Sequence, residues 1–410
     1  MVDNNQKLSV MQIILTLERA GAQEVVRTLA EHLPANGCDV SVCAFEDGPM
    51  RAEIEKLGVK VDILSRPRYS VVLLPFFLAE MLRIRRELAQ LMEQYGTVVA
   101  QTHILQVLDF LVLSLRHNTD LRVVLWTMQN VEFLPERRPG QRRWLRDFKE
   151  MAYRMSYRVM AGRVDGYIAV SDEVRQEIVR QIGPIGDKVF TVCNAVDLKP
   201  YEHPGDKATL CEQLGLDVHS QLVITVGRLT EQKGHRYLID AAPSVLSSHP
   251  DTHFLFVGVG ELKDGLERQA RQAEVSENFH FLGLRGDVPD LLAAADVFVL
   301  PSLWEGLSLA LLEAMAASKP IVATAVSGTT QVITSNETGL VVPPRDSVAL
   351  ADAIVQMLSD PAQAQAMGEA ARQHVASNYS AQKQAQEHLD LYRQFLNQRS
   401  TENLQLREAH

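Results

Sequence analysis

The fold-deciding stretch is Pro301-Ser-Leu-Trp-Glu-Gly-Leu-Ser-Leu-Ala-Leu-Leu-Glu-Ala-Met-Ala-Ala-Ser-Lys-Pro-Ile-Val-Ala-Thr324. An apolar run, Asp296-Val-Phe-Val-Leu-Pro301, leads into its glycine turn, and an apolar helical segment follows the turn. A second apolar run, Pro320-Ile-Val-Ala-Thr324, comes directly after that segment. Because parallel strands are joined by a helical crossover, this order predicts one βαβ unit of a parallel sheet.

Two carboxylates lie around the start of the predicted helix. The first helical turn offers unpaired N–H groups to a phosphate, and Glu313, about one turn further in, could accept two hydrogen bonds from a ribose diol. Glu305, in the loop before the helix, could reach the hydroxyls of a transferred sugar. Roughly one or two glutamate pairs at this spacing arise by chance in such a chain. The prediction therefore depends on the strand before the turn, since ligands gather at the carboxyl ends of parallel strands.

The same alternation of strand and helix runs through both halves of the chain. Short apolar runs rich in β-branched residues predict strands at 8–15, 39–45, 97–101, 121–127, 166–170, 222–226, 253–257, 280–282, 297–300 and 321–324. Amphipathic segments such as Ala22 to Leu33 separate them. This pattern predicts an α/β protein with two doubly wound parallel sheets. The natural site in such a protein is a cleft between the two sheets.

These motifs and their order resemble the retaining GT-B glycosyltransferases of family 4 (glycosyl transferases group 1), over nearly the whole chain. The resemblance implies two facing Rossmann-like domains with a deep interdomain cleft. It implies an acceptor-binding domain at 1–198, a nucleotide-sugar-binding domain at 199–379, and a terminal helix, 380–397, that crosses back to the first domain. The turn-rich segment Asp197–Asp206 supports this boundary, and residues 398–410 are predicted to be a disordered tail.

A glycine-bounded loop, Gly227-Arg-Leu-Thr-Glu-Gln-Lys-Gly234, follows the predicted strand 222–226. Arg228 can grip phosphate oxygens in a fork and Lys233 adds a point charge, so the pair suits a leaving diphosphate. In the resembled family, the matching Arg and Lys hold the donor diphosphate. A solvated basic turn is the alternative reading of this segment taken alone.

The resemblance also assigns residues in the first half. His103 follows the strand 97–101 and matches the histidine that lines the transferred sugar, although a lone histidine is more often structural. Gly21 would allow close backbone approach to a phosphate or acceptor. The family commonly has a second glycine and an acid there, whereas this chain has Ala22 and Gln23.

The remaining donor-binding residues also follow from the resemblance. Gly258 follows the strand 253–257, and the backbone around Leu284 would meet the base. Gly306, Leu307 and Ser308 form the turn that leads into the helix. Gln331 stands where the family usually has glutamate.

Composition limits the function classes. The chain has 410 residues, which exceeds what one core usually supports, and its 46% hydrophobic and 22% charged residues are ordinary for a globular protein. Four cysteines without a C-x-x-C pair favour a reduced cytosolic setting without structural zinc. We find no secretory signal and expect no membrane span in 70–79. The metal-anchoring Asp-x-Asp motif is absent, which favours a site without metal or cofactor, served by protein cations and a helix N-terminus.

The net charge of −10 is unevenly distributed: residues through 200 carry 26 Lys and Arg against 25 Asp and Glu, and the rest carry 15 against 26. Two basic stretches, 66–86 and 137–163, interleave arginines with apolar residues. They suit an anionic membrane surface, but packing of the apolar residues inside the domain is an equally open interpretation. A nucleic acid partner is disfavoured in an acidic chain whose motifs point to a small donor.

The sequence thus predicts a metal-independent retaining glycosyltransferase that uses a UDP- or GDP-linked sugar. The acceptor would be a glycan, a lipid-linked or a small molecule in polysaccharide or glycolipid biosynthesis, with the enzyme in the cytoplasm or at the inner face of the membrane. Three alternatives stay open. They are an epimerase or hydrolase of the same fold, a non-catalytic relative, and an NAD-dependent oxidoreductase, whose glycine fingerprint at 254–260 is incomplete because the third glycine is missing.

Overall fold

The computed structural model describes residues 7–65, 74–103, 107–129, 143–183, 185–203 and 205–408. The chain divides into two compact units. Unit 1 comprises Met1–Asn194 together with Ala381–His410, and unit 2 comprises Ala195–Ser380. Both junctions lie within a few residues of the predicted boundaries.

Unit 1 contains a seven-stranded sheet in the order β3-β2-β1-β4-β5-β6-β7, and every pair in it is parallel. The strands are β1 (Leu8–Ile14), β2 (Cys38–Ala44), β3 (Lys60–Ile63), β4 (Val99–His103), β5 (Val123–Met128), β6 (Gly166–Ala169) and β7 (Val189–Thr191). Side chains on the central strands are almost fully buried, as expected where helices cover both faces of a parallel sheet.

Two hydrophobic clusters cover the two faces of this sheet. One face carries the helices α1 (Gly21–His32), α2 (Met50–Lys56) and α15 (Ala381–Glu408). The other carries α3 (Leu74–Gln94), α4 (Val107–Leu113), α5 (Arg143–Met160) and α6 (Asp172–Ile182). The start of α6 shows how local sequence sets these bounds. Ser171 caps the helix by accepting a hydrogen bond from the Val174 amide, and two acidic residues follow in the first turn.

The terminal helix α15 packs on unit 1. Leu389 and Phe395 join the core cluster that contains α1, and Gln384 donates a hydrogen bond to the Cys193 carbonyl. Arg399 forms an ion pair with the buried Asp165 carboxylate at 2.7 Å. The helix continues to Glu408, so the prediction of a disordered tail from residue 398 is wrong for the described residues. The apolar spacing that marks a helix fades after residue 397, whereas the helical backbone continues.

Unit 2 contains a six-stranded parallel sheet in the order β10-β9-β8-β11-β12-β13. The strands are β8 (Gln221–Val226), β9 (Thr252–Val257), β10 (Phe279–Gly283), β11 (Val297–Leu300), β12 (Ile321–Thr324) and β13 (Leu340–Val342). Strands β11 and β12 pair in parallel on either side of the crossover helix, which confirms the predicted βαβ unit.

Aspartates begin three helices of unit 2. Asp206, Asp346 and Asp360 each accept a hydrogen bond from a backbone amide three residues on, the usual way to satisfy an open helix start. The helices are α7 (Lys207–Leu214), α8 (His235–Ser248), α9 (Lys263–Gln272), α10 (Val288–Ala294), α11 (Leu309–Ala316), α12 (Ser327–Thr330), α13 (Ser347–Ser359) and α14 (Pro361–Asn378).

The ten predicted strands are all present, and their ends shift by at most two residues. Strand β4 runs on to His103, so this histidine lies inside the strand rather than after it. The strands that the sequence pattern missed, β3, β7 and β13, are three or four residues long and too short to show alternation. Within the described residues, no helix combines the length and the apolar content that crossing a bilayer requires.

Candidate active site

Two neighbouring strands of unit 2, β8 and β11, end side by side and continue into the loops 227–234 and 301–308. Gln232 joins these loops, since its carbonyl accepts a hydrogen bond from the Leu303 amide at 2.7 Å. Its side-chain amide donates to the Trp304 carbonyl at 3.0 Å. Gln232 is buried, so both hydrogen bonds are shielded from water and the two loops form one rigid surface.

Glycines allow the backbones of these loops to touch. Gly234 has φ +62°, and a Cβ added there would lie 2.0 Å from the Pro301 carbonyl oxygen. In the same way, a Cβ on Gly328, in α12, would lie 2.2 Å from the carbonyl oxygen of Gly306. Only glycine fits such contacts without a shift of the backbone. The loops after β8, β11 and β12 are therefore packed directly on one another.

A buried ion pair lies where the first two loops meet. Lys233 Nζ donates to Glu305 Oε1 at 2.6 Å, and the two side chains are only 14% and 6% exposed. Ser302 Oγ donates to the same oxygen, also at 2.6 Å. Removing one partner of a buried pair leaves an uncompensated charge. Lys233 and Glu305 are thus held in fixed positions by each other.

Arg228 supplies a second cation, two residues beyond the end of β8. Its side chain is exposed, and its guanidinium lies 3.5 Å from Gln232 Oε1, at the outer limit of a hydrogen bond. Arg228 is therefore more loosely held than Lys233. A fork of guanidinium donors in this position can close on a phosphate with little loss of existing contacts.

Helix α11 begins at the end of the second loop. Ser308, its N-cap, is buried and has extended backbone angles, but its side chain makes no capping hydrogen bond. The first-turn amides are thus not satisfied by that side chain. Glu313 lies half-buried one turn further along α11. Helix start and carboxylate lie on the same short helix, as the sequence predicts.

The ends of β9 and β10 complete this edge of unit 2. Gly258 has φ +135°, and a Cβ added there would lie 2.0 Å from the Gly227 carbonyl oxygen. Its amide donates to the Gly283 carbonyl at 2.8 Å, which ties together the ends of β8, β9 and β10. Leu284 and Val259 follow these strands and expose more than half of their side chains, at 57% and 52%. This edge therefore offers apolar surface beside the cations.

His235 lies behind the ion pair, as the first residue of α8. Burial, followed by the positive charge of Lys233, lowers its pKa from 6.5 to about 3. Its ring packs against Phe256, with ring centroids 5.1 Å apart. The imidazole is therefore neutral at ordinary pH and adds no further positive charge to the site.

The structure places His103 in unit 1 with a buried side chain. It is the last residue of β4, its side chain is 3% exposed, and Nε2 lies 2.8 Å from Gln12 Oε1. The amide oxygen can only accept, so Nε2 carries the proton. Burial, followed by the charge of His388, lowers the pKa of His103 to about 3. Its role beside the transferred sugar, through the backbone carbonyl or the ring, stays a prediction.

Gln12 connects His103 to a larger buried network. Its amide donates to Tyr392 Oη at 3.1 Å, and Tyr392 in turn donates to Gln101 Oε1. The Gln101 amide donates to Thr127 Oγ1 at 2.7 Å. These residues lie on β1, β4, β5 and α15, so the network joins three strands to the terminal helix.

Gly21, the other predicted residue of unit 1, is the exposed first residue of α1. Gln23, which replaces the family's acid, is buried, and its side-chain amide donates to the Thr16 carbonyl at 3.0 Å. Gln23, at the position of the family's acid, thus fastens the loop between β1 and α1. Contact of Gly21 with a phosphate or acceptor stays a prediction.

The predicted residues therefore separate into two groups. Unit 2 gathers most of them at the carboxyl edge of its sheet, namely Arg228, Lys233, Gly258, Leu284, Glu305, Gly306, Leu307, Ser308 and Glu313. Unit 1 contains Gly21 and His103. The sequence interpretation missed Gln232 and Ser302, which position Trp304 and Glu305. The sequence did offer a signal for both residues, because each is a polar residue in a loop after a strand and lies close to a predicted site residue.

Two family profiles match this chain. The profile described as Glycosyltransferase Family 4 matches residues 19–200, and the profile described as Glycosyl transferases group 1 matches residues 206–374. The chain belongs to the group 1 (family 4) glycosyltransferases. The second match contains both loops and α11, and the first contains Gly21 and His103.

Curated relatives are similar over about half of their length. One is the Escherichia coli UDP-Gal:alpha-D-GlcNAc-diphosphoundecaprenol alpha-1,3-galactosyltransferase, 30% identical over 55% of this chain and 59% of that protein. Another is the Corynebacterium glutamicum GDP-mannose-dependent monoacylated alpha-(1-6)-phosphatidylinositol monomannoside mannosyltransferase, 35% identical over 46% of this chain and 51% of that protein. The chain spans between half and three fifths of the length of these two relatives.

Solved structures match nearly the whole chain. The Anabaena protein HepE, in complex with UDP and glucose, has a TM-score of 0.79 at 19% identity, and covers 94% of this chain and 100% of its own. Sucrose-phosphate synthase from Thermosynechococcus elongatus has a TM-score of 0.74 at 23% identity, and covers 95% of this chain and 99% of its own. At these identities the likeness shows the fold, which is GT-B.

Proposed function

We propose that this protein transfers a sugar, with retention of anomeric configuration, from a nucleoside diphosphate sugar to an acceptor hydroxyl. The observation that carries the proposal is the joined pair of loops in unit 2, where Lys233, Glu305 and Arg228 lie beside the start of α11. Cations and oriented amides in such an arrangement stabilise the charge that develops on a departing diphosphate.

Each group has a definite part in this proposal. Arg228 and Lys233 bind the diphosphate, Glu313 binds the ribose hydroxyls, and Glu305 orients a sugar hydroxyl. The exposed Leu284 and Val259 give the nucleobase an apolar surface next to the backbone of the same strand ends. In the reaction, the bond between the anomeric carbon and the diphosphate oxygen breaks while the acceptor oxygen bonds that carbon from the same face. The acceptor proton passes to the released diphosphate.

We propose further that this transfer needs no divalent cation or other cofactor. The buried carboxylate of the site, Glu305, already accepts hydrogen bonds from Lys233 and Ser302. It is therefore engaged by a protein cation. The electrostatic part that a metal plays on a diphosphate falls here to Arg228, Lys233 and the amides of α11.

The names of the relatives indicate the substrate classes to test first. One relative is named for UDP-galactose and an undecaprenol-linked acceptor, and another for GDP-mannose and a phosphatidylinositol mannoside. We therefore propose a UDP- or GDP-linked hexose as the donor and a lipid-linked glycan as the acceptor. Since such acceptors are held in membranes, we infer that the enzyme acts at the cytoplasmic face of one. Its four free cysteines suit that compartment.

Thermal denaturation in the presence of UDP, GDP, ADP and their sugars tests the donor class, because a ligand of the folded state raises the melting temperature. We expect UDP or GDP to do so for the wild type and for Arg236→Ala, a matched exposed arginine next to the site. The shift should shrink for Glu313→Ala. Donor turnover should be insensitive to chelators. Release of free sugar without any acceptor, or a shift that Glu313→Ala leaves intact, would contradict the proposal.

A further inference from the structure

Exposed apolar side chains concentrate on two helices of unit 1. Of the eleven large apolar side chains that are exposed among the described residues, six lie on α3 and α5. They are Phe76, Leu78, Leu82, Met151, Met155 and Val159, and each is more than half exposed. The spacing of four residues within 78–82 and within 151–159 puts these side chains in a stripe along one face of each helix.

Both helices are fixed to the same face of the sheet. Ile84 and Leu88 of α3 and Tyr157 of α5 belong to one buried cluster. Tyr157 Oη donates to the buried Asp109 of α4 at 2.7 Å, and its ring lies 5.3 Å from that of Phe110. Helix α4 thus contacts α5 through this hydrogen bond, and it also packs against α3. The exposed stripes are therefore held in place by buried anchors on one side of unit 1.

The stripes lie mostly before the anchors in the sequence. Leu78 and Leu82 precede Ile84, and Met151 and Met155 precede Tyr157. In a parallel α/β sheet, each helix starts at the carboxyl edge of the strands. The exposed leucines of α3 therefore lie towards the carboxyl edge of the sheet, whereas the exposed side chains of α5 run from the middle of that helix towards its end.

The charge around these stripes is opposite to that of the whole chain. Helix α5 carries five Lys and Arg against two acidic residues, and 76–86 carries three arginines against Glu80, whereas the chain has a net charge of −10. Arg86 and Arg158 are exposed. A depression of about 390 Å³ runs along α5, lined by Asp147, Met151, Arg154, Met155 and Arg158. Apolar and cationic groups thus alternate on one surface.

We propose that Leu78, Leu82, Met151, Met155 and Val159, with Arg86 and Arg158, form a docking surface for an anionic phospholipid bilayer. Apolar side chains enter the boundary between headgroups and acyl chains, and arginines remain at the phosphates. A second copy of the chain fits less well, because it would bring the same positive surface against itself. The proposal rests on the proposed function only in that a lipid-linked acceptor would lie in the same membrane. The sequence segments 66–73 and 137–142, which belong to the predicted membrane surface, lie outside the described residues.

Cosedimentation of the full chain with vesicles tests the docking surface. We expect binding to phosphatidylcholine vesicles that contain phosphatidylglycerol, no comparable binding to pure phosphatidylcholine, and weaker binding at high salt. Replacing Met151, Met155 and Val159 together by serine should reduce binding roughly tenfold or more. Arg86→Ser should reduce it about fivefold. The matched control is Val348→Ser, which changes a comparably exposed apolar residue of unit 2.

Equal binding to neutral vesicles, or unchanged binding by the triple serine variant, would overturn the docking surface. A variant that loses self-association while vesicle binding stays constant would assign the surface to a second copy instead. The melting-temperature shift with UDP or GDP, measured on the same samples, separates the two proposals. Vesicle binding without any nucleotide shift leaves the docking surface standing and refutes the donor site, and the reverse result refutes only the docking surface.

Discussion

Units 1 and 2 are built on the same kind of parallel sheet, yet they keep their polar side chains in different places. In unit 2, Lys233 and Glu305 lie in loops beyond the strand ends. In unit 1, Gln12, Gln101 and His103 lie within the strands and under α15. The polar side chains inside these strands hydrogen-bond to one another and fasten the fold, whereas those in loops at a sheet edge are placed to meet a ligand. The comparison teaches that a loop position beyond the strand end, rather than residue type, distinguishes the candidate site.

Replacing Lys233 is expected to have the largest effect, and it tests whether the loop residues of unit 2 serve the reaction. Lys233→Met should lower turnover by roughly 100- to 1000-fold, the usual loss when one group that stabilises transition-state charge is removed. It should also cost about 3 kcal/mol of stability, because Glu305 keeps a buried charge. The double variant with Glu305→Gln should recover most of the stability and none of the turnover. Initial rates and denaturant melts measure both quantities.

Arg236→Met, which removes an exposed cation three residues away, serves as the control and should behave as wild type in both assays. Full activity in Lys233→Met would show that the ion pair only stabilises the fold. The distinction between the units would then disappear.

The loop contacts of unit 2 can be tested with a pair of glycines that share a left-handed backbone. Gly234 and Gly215 have φ of +62° and +70°, but only Gly234 lies against other backbone atoms. Gly215→Ala should cost about 1 kcal/mol from its backbone angle alone. Gly234→Ala should cost about 3 kcal/mol and weaken nucleotide binding, because the added carbon forces apart the loops that hold the ion pair. Equal losses in the two variants would rule out a special role for this contact.

Removing the hydroxyl of Tyr392 tests whether the buried polar network of unit 1 serves only to stabilise the fold. In Tyr392→Phe, the side-chain amide of Gln12 and the side-chain oxygen of Gln101 lose their shared hydrogen-bond partner, and both are buried. We expect a loss of about 2 kcal/mol in the free energy of unfolding. Nucleotide binding, measured by calorimetry, should be unchanged because the residues that we propose to bind the donor lie in unit 2. A large loss of nucleotide affinity with normal stability would place the network in the site.

Replacing His235 is expected to have the smallest effect at neutral pH, because its titration changes stability only in acid. Burial lowers the pKa of His235 from 6.5 to about 3, so the unfolded chain takes up a proton that the folded chain refuses. The stabilisation present above pH 6.5 is therefore lost as the pH falls towards 3. His235→Leu should reduce this pH dependence by about 1.4 kcal/mol per pH unit, while His103 and His388 still titrate in unit 1. Denaturant melts across this pH range measure the slope, and an unchanged slope would contradict the assignment.

Sequence patterns predict much of this fold, because buried parallel strands are continuous apolar runs. The run 297–300 matches β11 to the residue, whereas β13, only three residues long, gives no periodic signal. Once the strand ends are predicted, the sequence also predicts that the candidate site residues lie in the loops that follow them. The pairing of Lys233 with Glu305 does not, since these residues are 72 positions apart and only the sheet order brings them together.

The same limit applies to the contacts of His103. Its partner Gln12 lies 91 residues earlier in the chain, and Tyr392, which completes the network, comes from the terminal helix. A histidine at a strand end looks alike in sequence whether it faces a ligand or a buried amide. Only the docking of α15 on this sheet decides between the two.

Hydrogen exchange with and without UDP or GDP tests the central claim most directly, because it reports backbone protection along the whole chain. The claim is that the diphosphate binds between the loops of unit 2 and the start of α11. We predict that the nucleotide slows exchange at 227–234 and 301–313 and leaves the strands around Gln12 and Gln101 unchanged. Protection confined to unit 1, or none at 227–234 under saturating nucleotide, would contradict the account.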